Sequence, residues 1–376
     1  MEFKLRRKKE EPFAVLDIGT EAVKTLIVKK DSKGINILGS SVKYFDYDNI
    51  FDKGFAAEDF ELEITKEAVL KSLEEAFSSY AVFSGGKNNI YDFPVLLTIN
   101  PKILHALVVE EVSVRDKKEK KISRQEQEVI YRYALKGARD RICEEFFRKS
   151  GIIEKDIDFV FMKIIGKKIE GYPVENIEKY HGRNLSFKVL GIFLSKLYGQ
   201  KIYAMLSELG LKVFKTIHPV QAITDVFPDI KEGAFLDMGG QVSQVFLINN
   251  GILDKIETVD KGGGDFTERI FDSLNVGREG ARNLKERYAS GSLSSGVSSR
   301  IKDMMAAEKN ILRKNMVKCY KSSVFLFGGG SCLPEAKDIF SKRKIISTGN
   351  FKKVEDLTKK TKSPQFVPAV LVSLTQ

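Results

Sequence analysis

One strand–turn–strand pattern occurs twice in this chain, once near the start and again beyond residue 230. The first copy runs from Phe13 to Thr20 (FAVLDIGT) and the second from Ala234 to Gly240 (AFLDMGG). In both, an apolar strand ends in an aspartate and a glycine turn, and a second apolar stretch, a reversal and a third strand follow. A single Asp-x-Gly turn is an ordinary strand end. Its duplication in the same setting predicts two related hairpins that face one another.

The two turns are suited to holding phosphate. Glycine turns let backbone N–H groups come close to an anion because no Cβ blocks the approach. An acid at the strand end repels phosphate unless a cation intervenes, so Asp17 and Asp237 are predicted to hold Mg²⁺, through its waters. The candidate phosphate-binding residues are Gly19, Thr20 and Lys24 in the first copy and Gly239, Gly240 and Gln241 in the second.

Two glycine clusters further along the chain extend this prediction. Gly262 and Gly263 belong to a turn that leads directly into a helix. The apolar strand Val324–Phe327 opens into a second cluster, and Pro334 starts the next helix. A strand that runs through glycines to a helix N-terminus is typical of nucleotide sites. The candidate residues of the second cluster are Gly328, Gly329, Gly330 and Ser331.

Length and composition exclude several classes of protein. A chain of 376 residues is expected to form two or three compact units. No apolar run reaches the roughly 18 residues of a membrane span, and the N-terminus lacks the apolar core of a secretion signal, so we expect a cytoplasmic protein. The three cysteines and three histidines are dispersed, which predicts neither a disulfide framework nor a zinc site.

The net charge of +11 favours anionic partners without identifying them. Basic residues concentrate at Arg6–Lys9, at Lys117–Lys121 and between Lys342 and Lys362. Aromatic residues do not alternate with the first two stretches, as they do in single-strand nucleic-acid grooves, so no nucleic-acid partner is expected. The first stretch, with Phe3 and Leu5 beside it, is suited to a weak contact with an anionic membrane surface.

The order of the predicted elements gives a division of the chain. An inserted α+β section interrupts the first half, and its charged helix begins after Ser123, a predicted N-cap with Glu126 three residues later. The expected parts are a basic leader (1–12), a first domain (13–100), the insert (101–198), a return to the first domain (199–232), a second domain (233–340, with a helical part at about 266–318) and a closing segment (341–376).

Taken in order, Asp17–Thr20, Asp237–Gly240 and Gly328–Ser331 resemble the two phosphate loops and the adenosine loop of the actin-like ATPase superfamily. The resemblance implies an α/β fold of two related domains, with mixed five-stranded-type sheets around a nucleotide cleft. It also implies ATP and Mg²⁺ as ligands, and it places Lys285 in the helix that contacts the ribose.

Within that superfamily the chain is most similar to the FtsA family of bacterial cell-division proteins, over nearly its whole length. The insert lies where that family carries its 1C subdomain, and Gly171–Asn176 followed by Gly182–Leu185 resembles a stretch of it. The resemblance implies self-association through the insert, binding to the C-terminal tail of FtsZ, and a position at the inner face of the cell membrane.

The PilM family of type IV pilus assembly is the alternative. Its chains also tend to begin with a short apolar and basic leader, like Met1–Lys9 here. FtsA proteins usually continue to a C-terminal amphipathic helix, whereas this chain stops at Gln376. A PilM-like role implies an inner-membrane pilus protein as the partner.

Some residues depart from the superfamily pattern. Gln241 and Val242 stand where active relatives have glycine and threonine, and Arg282 stands where relatives commonly have glutamate. Gln221 is either a residue that positions the attacking water or a packing glutamine. We therefore expect ATP binding, with at most slow hydrolysis by Gln221, Asp17 and Asp237. The same fold also accommodates a small-molecule kinase, which would need a general base, or a pseudo-ATPase scaffold that no longer uses nucleotide.

Overall fold

Three sheets organise the chain, two large ones and a smaller one inserted after the fourth strand. The computed structural model describes residues 11–46, 57–85, 89–116, 119–316 and 323–375. The basic stretch Arg6–Lys9, with Phe3 and Leu5, and Cys319 lie outside the described residues.

The first large sheet has six strands in the order β15-β3-β2-β1-β4-β9. Helices from three parts of the chain pack on it, and α9 near the C-terminus is almost entirely buried in its core. The strands are β1 (Phe13–Ile18), β2 (Ala22–Lys30), β3 (Ile35–Tyr44), β4 (Pro94–Ile99), β9 (Lys212–Thr216) and β15 (Val354–Asp356). The helices are α1 (Ala57–Ser84), α3 (Lys196–Glu208), α4 (Val220–Val226) and α9 (Val367–Leu374).

The second large sheet has five strands in the order β12-β11-β10-β13-β14. Its helices enclose a separate apolar core that includes Phe266, Ile301 and Met305. The strands are β10 (Gly233–Met238), β11 (Ser243–Asn249), β12 (Ile252–Val259), β13 (Val324–Phe327) and β14 (Arg343–Ile345). The helices are α5 (Gly263–Leu274), α6 (Arg278–Ala289), α7 (Ser295–Asn315) and α8 (Pro334–Asp338).

The two large sheets repeat one topology, as the duplicated hairpins predict. In each, a central strand pairs antiparallel with the strand that follows it and parallel with a later strand: β1 with β2 and β4, β10 with β11 and β13. Even the register agrees, because Asp17 lies opposite Lys24 and Asp237 lies opposite Gln244. Each aspartate therefore faces the residue seven positions after it.

The insert is a four-stranded sheet covered on one face by a long helix. Its strand order is β5-β8-β6-β7. The predicted helix cap is confirmed: the Ser123 Oγ accepts a hydrogen bond from the Glu126 N–H at 3.2 Å. The helix ends at Gly151, whose φ of 73° lies in the left-handed region that favours glycine. The elements are β5 (Leu104–Val114), α2 (Arg124–Ser150), β6 (Ile157–Ile169), β7 (Tyr172–Pro173) and β8 (Asn184–Ser195).

The other face of the insert packs against the edge strand of the second large sheet. Strands β5 and β6 of the insert contact β12, and a Cβ at Gly166 on β6 would lie 3.6 Å from the Ile252 side chain. Beside this contact, Lys188 forms an ion pair with Asp254. The insert thus connects the first domain, from which it emerges, to the second.

Two short strands near the C-terminus are absent from the sequence-based expectations. β14 and β15 have three residues each, too few to show a period of two, and β15 pairs with β3, near the other end of the chain. The segment at 366–374, which the sequence leaves open between strand and helix, is a helix. In the part of the chain that the structure describes, no helix is long and apolar enough to span a bilayer.

Close packing of α1 on β3 makes Gly39 sensitive to substitution. A Cβ at Gly39 would lie 2.2 Å from the carbonyl oxygen of Ala76. Gly39→Ala is therefore expected to lower the free energy of unfolding by about 1–3 kcal/mol, measured by urea denaturation. Gly296→Ala is the control, because nothing lies within 4 Å of a Cβ there, and it should not destabilise. Equal effects of the two substitutions would contradict the packing described.

Candidate functional site

A cavity of about 730 Å³ lies between the two large sheets, where β1 and β10 end. Its size is that of a small-ligand site. The structure brings most of the predicted site residues to its lining. These are Asp17, Gly19, Thr20, Lys24, Asp237, Gly239, Gly240, Gly263, Lys285, Gly328, Gly329 and Gly330.

The first hairpin presents an ion pair to the cavity. Asp17 is only 6% exposed, and one carboxylate oxygen lies 3.2 Å from the Lys24 ammonium. The pair follows from register, since the two residues face each other on adjacent strands. Burial raises the pKa of Asp17, and the charge of Lys24 offsets part of that effect.

The second hairpin lacks this cation. Gln244 takes the place that Lys24 has in the first hairpin, so the residue opposite Asp237 is a neutral amide. Burial, followed by the nearby charge of Asp17, raises the pKa of Asp237 to about 7. The duplicated aspartates therefore differ: Asp17 has its own cation across the hairpin, and Asp237 does not.

The charge distribution fits a bound Mg²⁺. Two carboxylates converge on one cavity, and the charge of Asp17 makes it harder to ionise Asp237. A hard divalent cation, which prefers oxygen ligands, would relieve that repulsion. Among the described residues no group of three or more His, Cys, Asp or Glu side chains could hold a metal. The ion would therefore depend on phosphate oxygens and water for its remaining ligands.

The two phosphate-loop glycines shape their turns. The Gly19 N–H donates to the Ala22 carbonyl at 3.0 Å, and the Gly239 N–H donates to the Val242 carbonyl at 3.1 Å. A Cβ at Gly239 would lie 2.5 Å from that same Val242 carbonyl. The two glycines therefore let the turns close tightly. Because both N–H groups donate inside the turns, any contact with a phosphate would have to come from other groups of the loops.

The turn before α5 is fastened to the second phosphate loop. The Gly263 N–H donates to the Gly239 carbonyl at 2.9 Å, and the Gly264 N–H donates to the Gly240 carbonyl at 2.7 Å. A Cβ at Gly262 would lie 2.3 Å from the Gly240 carbonyl oxygen. Gly262 lies outside the cavity lining and permits this close approach.

The second glycine cluster, Gly328–Ser331, lies close to Asp237. Gly328 has a φ of 84°, and a Cβ there would lie 2.3 Å from an Asp237 carboxylate oxygen. Ser331 is fully buried outside the lining, and its hydroxyl donates to the Gly328 carbonyl at 2.7 Å. Ser331 therefore holds the loop in shape.

Lys285 is anchored inside the second domain at the edge of the cavity. Its ammonium donates to the Gly263 carbonyl at 2.9 Å and to the Thr267 hydroxyl at 2.5 Å. It also lies 4.0 Å from the Glu21 carboxylate of the first domain. Burial lowers its pKa.

Gln241 and Gln221 lie outside the lining. The Gln241 N–H donates to the Thr20 hydroxyl oxygen at 2.9 Å, and its side-chain oxygen accepts from the Lys102 ammonium at 2.8 Å, so it bridges the two domains. The Gln221 side-chain oxygen accepts from the backbone N–H of His218 at 2.9 Å. Its role in positioning water stays a prediction.

The cavity lining also includes residues that the sequence does not single out, among them Glu21, Tyr44, His218 and Gln244. Gln244 had a signal, since it follows Asp237 at the spacing that separates Lys24 from Asp17. His218 is buried, which lowers its pKa to about 3 and leaves the imidazole neutral at physiological pH. Tyr44 reaches the site because it lies opposite Ala22 where β3 pairs with β2.

Two related domains with mixed sheets, facing each other across a glycine-lined cavity, give the chain the actin-like ATPase fold. Among solved structures, the PilM-PilN type IV pilus biogenesis complex is similar, with a TM-score of 0.63 and 15% identity over 97% of this chain and 98% of that one. No protein-family model and no curated protein sequence matches the chain.

Two more solved structures are similar to the chain, at lower scores than the PilM-PilN complex. The ethanolamine utilization protein EutJ from Carboxydothermus hydrogenoformans has a TM-score of 0.47 and 10% identity, over 97% of this chain and 90% of that one. MreB 5 of Spiroplasma citri bound to AMPPNP has a TM-score of 0.42 and 12% identity, over 96% and 95%.

The pKa of Asp237 predicts how its substitution changes stability with pH. Its folded pKa of about 7 lies above the ordinary 3.8. The protonated carboxyl therefore makes its full contribution to stability below about pH 4. This contribution declines as the pH rises and is lost above about pH 7. Without nucleotide and in EDTA, the free energy of unfolding of Asp237→Asn should therefore rise relative to that of the wild type by about 3 kcal/mol between pH 4.5 and pH 8, measured by urea denaturation.

Asp31→Asn is the control of opposite sign. Hydrogen bonds, first from the Asn36 side chain, lower the pKa of Asp31. Its contribution is therefore present above the ordinary pKa and lost on acidification, so the variant should be the less stable protein at neutral pH. A difference between Asp237→Asn and the wild type that does not change with pH would contradict the assignment of a raised pKa.

Proposed function

We propose that this protein is an ATP-binding actin-like adaptor, similar in role to PilM, that binds the cytoplasmic tail of an inner-membrane pilus-assembly protein. The proposal rests on the structural similarity to the PilM-PilN complex over nearly the whole of both chains. It is supported by the nucleotide-sized cavity between the duplicated hairpins. In this proposal the protein is cytoplasmic and peripheral at the inner face of the membrane.

ATP would act mainly on shape. Thr20 and Lys24 belong to the first domain and Gly240 to the second, so a phosphate chain between them contacts both domains. A ligand with more contacts in the closed cleft than in the open one shifts the population towards closure. Mg²⁺, held near Asp17 and Asp237, would neutralise phosphate charge. The insert packs on β12, so we propose that domain closure is transmitted to its partner-binding surface.

We propose slow turnover because the residues in and beside the cavity are poorly suited to activating water. The histidine there, His218, is a very weak base because burial lowers its pKa to about 3. The Gln221 side-chain oxygen is already bonded to a backbone N–H. Neither arrangement favours rapid activation of water, which supports a binding protein over a kinase.

The insert supports a second candidate, an FtsA-like division adaptor. It follows the first phosphate loop and precedes the second, which is the place of the 1C subdomain in that family, and its strand β5 is a sheet edge. Self-association through the insert and binding to the FtsZ tail would follow. The likeness to PilM over the full chain makes the pilus role the leading proposal.

Lys24→Ala tests whether the cavity binds ATP. Loss of the cation in the first hairpin should weaken Mg-ATP binding by about tenfold to a hundredfold, measured by isothermal titration calorimetry. Lys29→Ala removes the same charge from the same strand outside the cavity lining, and it should bind like the wild type. Failure of the wild type to bind Mg-ATP would favour the pseudo-ATPase scaffold instead.

A pull-down with two immobilised peptides tests the partner. One carries the cytoplasmic tail of an inner-membrane pilus protein and the other the C-terminal tail of FtsZ. The proposal predicts retention on the pilus peptide, and stronger retention with Mg-ATP than without. Retention on the FtsZ peptide alone would favour the second candidate.

A further inference from the structure

Helix α6 of the second domain contacts the end of β3 in the first domain beside the cavity. The Arg282 guanidinium lies over the ring of Tyr44, 4.5 Å from its centroid, and one Arg282 nitrogen donates to the Phe45 carbonyl at 3.2 Å. The Phe45 N–H donates to the Glu21 carbonyl at 2.9 Å. The contact is therefore anchored on the residue that follows Thr20 of the first phosphate loop.

A second residue of α6 reaches the same tyrosine. Glu286 lies one turn after Arg282, and its carboxylate is beside the Tyr44 hydroxyl. Burial, and next the charge of Glu286, raise the pKa of Tyr44, so its phenol remains protonated, and it donates to the Gln365 side-chain oxygen at 3.5 Å. Cation, ring and carboxylate thus join the two domains at one place.

This contact lies at the border of the nucleotide cavity. Tyr44 and Glu286 are part of the lining, whereas Arg282 is not. Arg282 therefore acts on the cavity through Tyr44. The contact is formed only by groups of the chain itself, so it needs no ligand in order to form.

We propose that Tyr44, Phe45, Arg282 and Glu286 form a cleft latch that retains bound nucleotide. The inference rests on the proposed ATP binding. Since the latch joins the two domains, it must break before they separate and a nucleotide passes. It therefore slows both entry and release, with Arg282 as the positioning residue and Tyr44 as the group that faces the ligand.

The test measures both rate constants for a fluorescent ATP analogue by stopped flow, in the presence of Mg²⁺. Arg282→Ala and Tyr44→Ala should each raise the dissociation rate constant about threefold to tenfold, as expected for one partly desolvated cation–π contact. The association rate constant should rise as well, so the Kd changes less than either rate. The double variant should be no faster than the faster single variant, because both remove the same contact.

Two variants separate the latch from a general structural effect. Arg278 lies on the same helix and over the ring of Phe271 at 5.4 Å, but both residues belong to the second domain. Arg278→Ala should therefore leave both rate constants unchanged. Arg282→Lys keeps a cation and should restore part of the slow release. A faster release with unchanged or slower association, or rates that multiply in the double variant, would overturn the proposal.

A ligand-free readout separates failure of the latch from failure of ATP binding. The chain has no tryptophan, so Tyr44→Trp introduces a single indole that can be excited selectively. Adding Arg282→Ala to that variant should increase acrylamide quenching of the indole, and adding Arg278→Ala should not. If no analogue binds the wild type, the proposed function fails, and quenching still decides whether the latch forms. Equal quenching in all three proteins overturns the latch.

Discussion

The site depends on two buried carboxylates placed at the facing ends of two duplicated strands. Desolvation works against ionising both Asp17 and Asp237, and the fold compensates only one of them, because Lys24 faces Asp17 while a neutral Gln244 faces Asp237. Identical hairpin geometry thus produces unequal electrostatics. That inequality gives the cavity one carboxylate whose burial is partly offset by a cation and one that favours an added cation or proton.

Glycine determines how closely the remaining loops approach these carboxylates. The turn before α5 is hydrogen-bonded to the second phosphate loop, and Gly328 comes so near Asp237 that a side chain there would collide with it. The three glycine segments therefore belong to one packed unit on the second domain. The insert packs against the edge strand β12 of that domain. Movement of this unit relative to the first domain would therefore also change the contact between β12 and the insert.

Local pattern was enough to predict much of this structure. The hairpins, the helix capped by Ser123 and the strand that opens into Gly328 are encoded in short segments, where strand alternation, turn chemistry and capping are visible. The strands β14 and β15 could not be predicted, since three residues show no period and β15 pairs with β3, near the other end of the chain. The pairing of Tyr44 with Arg282 was equally hidden, because it exists only once both domains are folded.

Two of the three residues that depart from the superfamily pattern share one structural property. Gln241 bonds to Thr20 and to Lys102, and Arg282 bonds to Phe45 and covers Tyr44, so both connect the second domain to the first. Under the proposed function, each stands where a residue that contacts the nucleotide is expected and instead supports closure. A cleft held partly by its own side chains needs less from the phosphates to remain closed. Such a cleft suits a protein whose output is a shape that a partner recognises, more than it suits rapid turnover, which requires repeated opening.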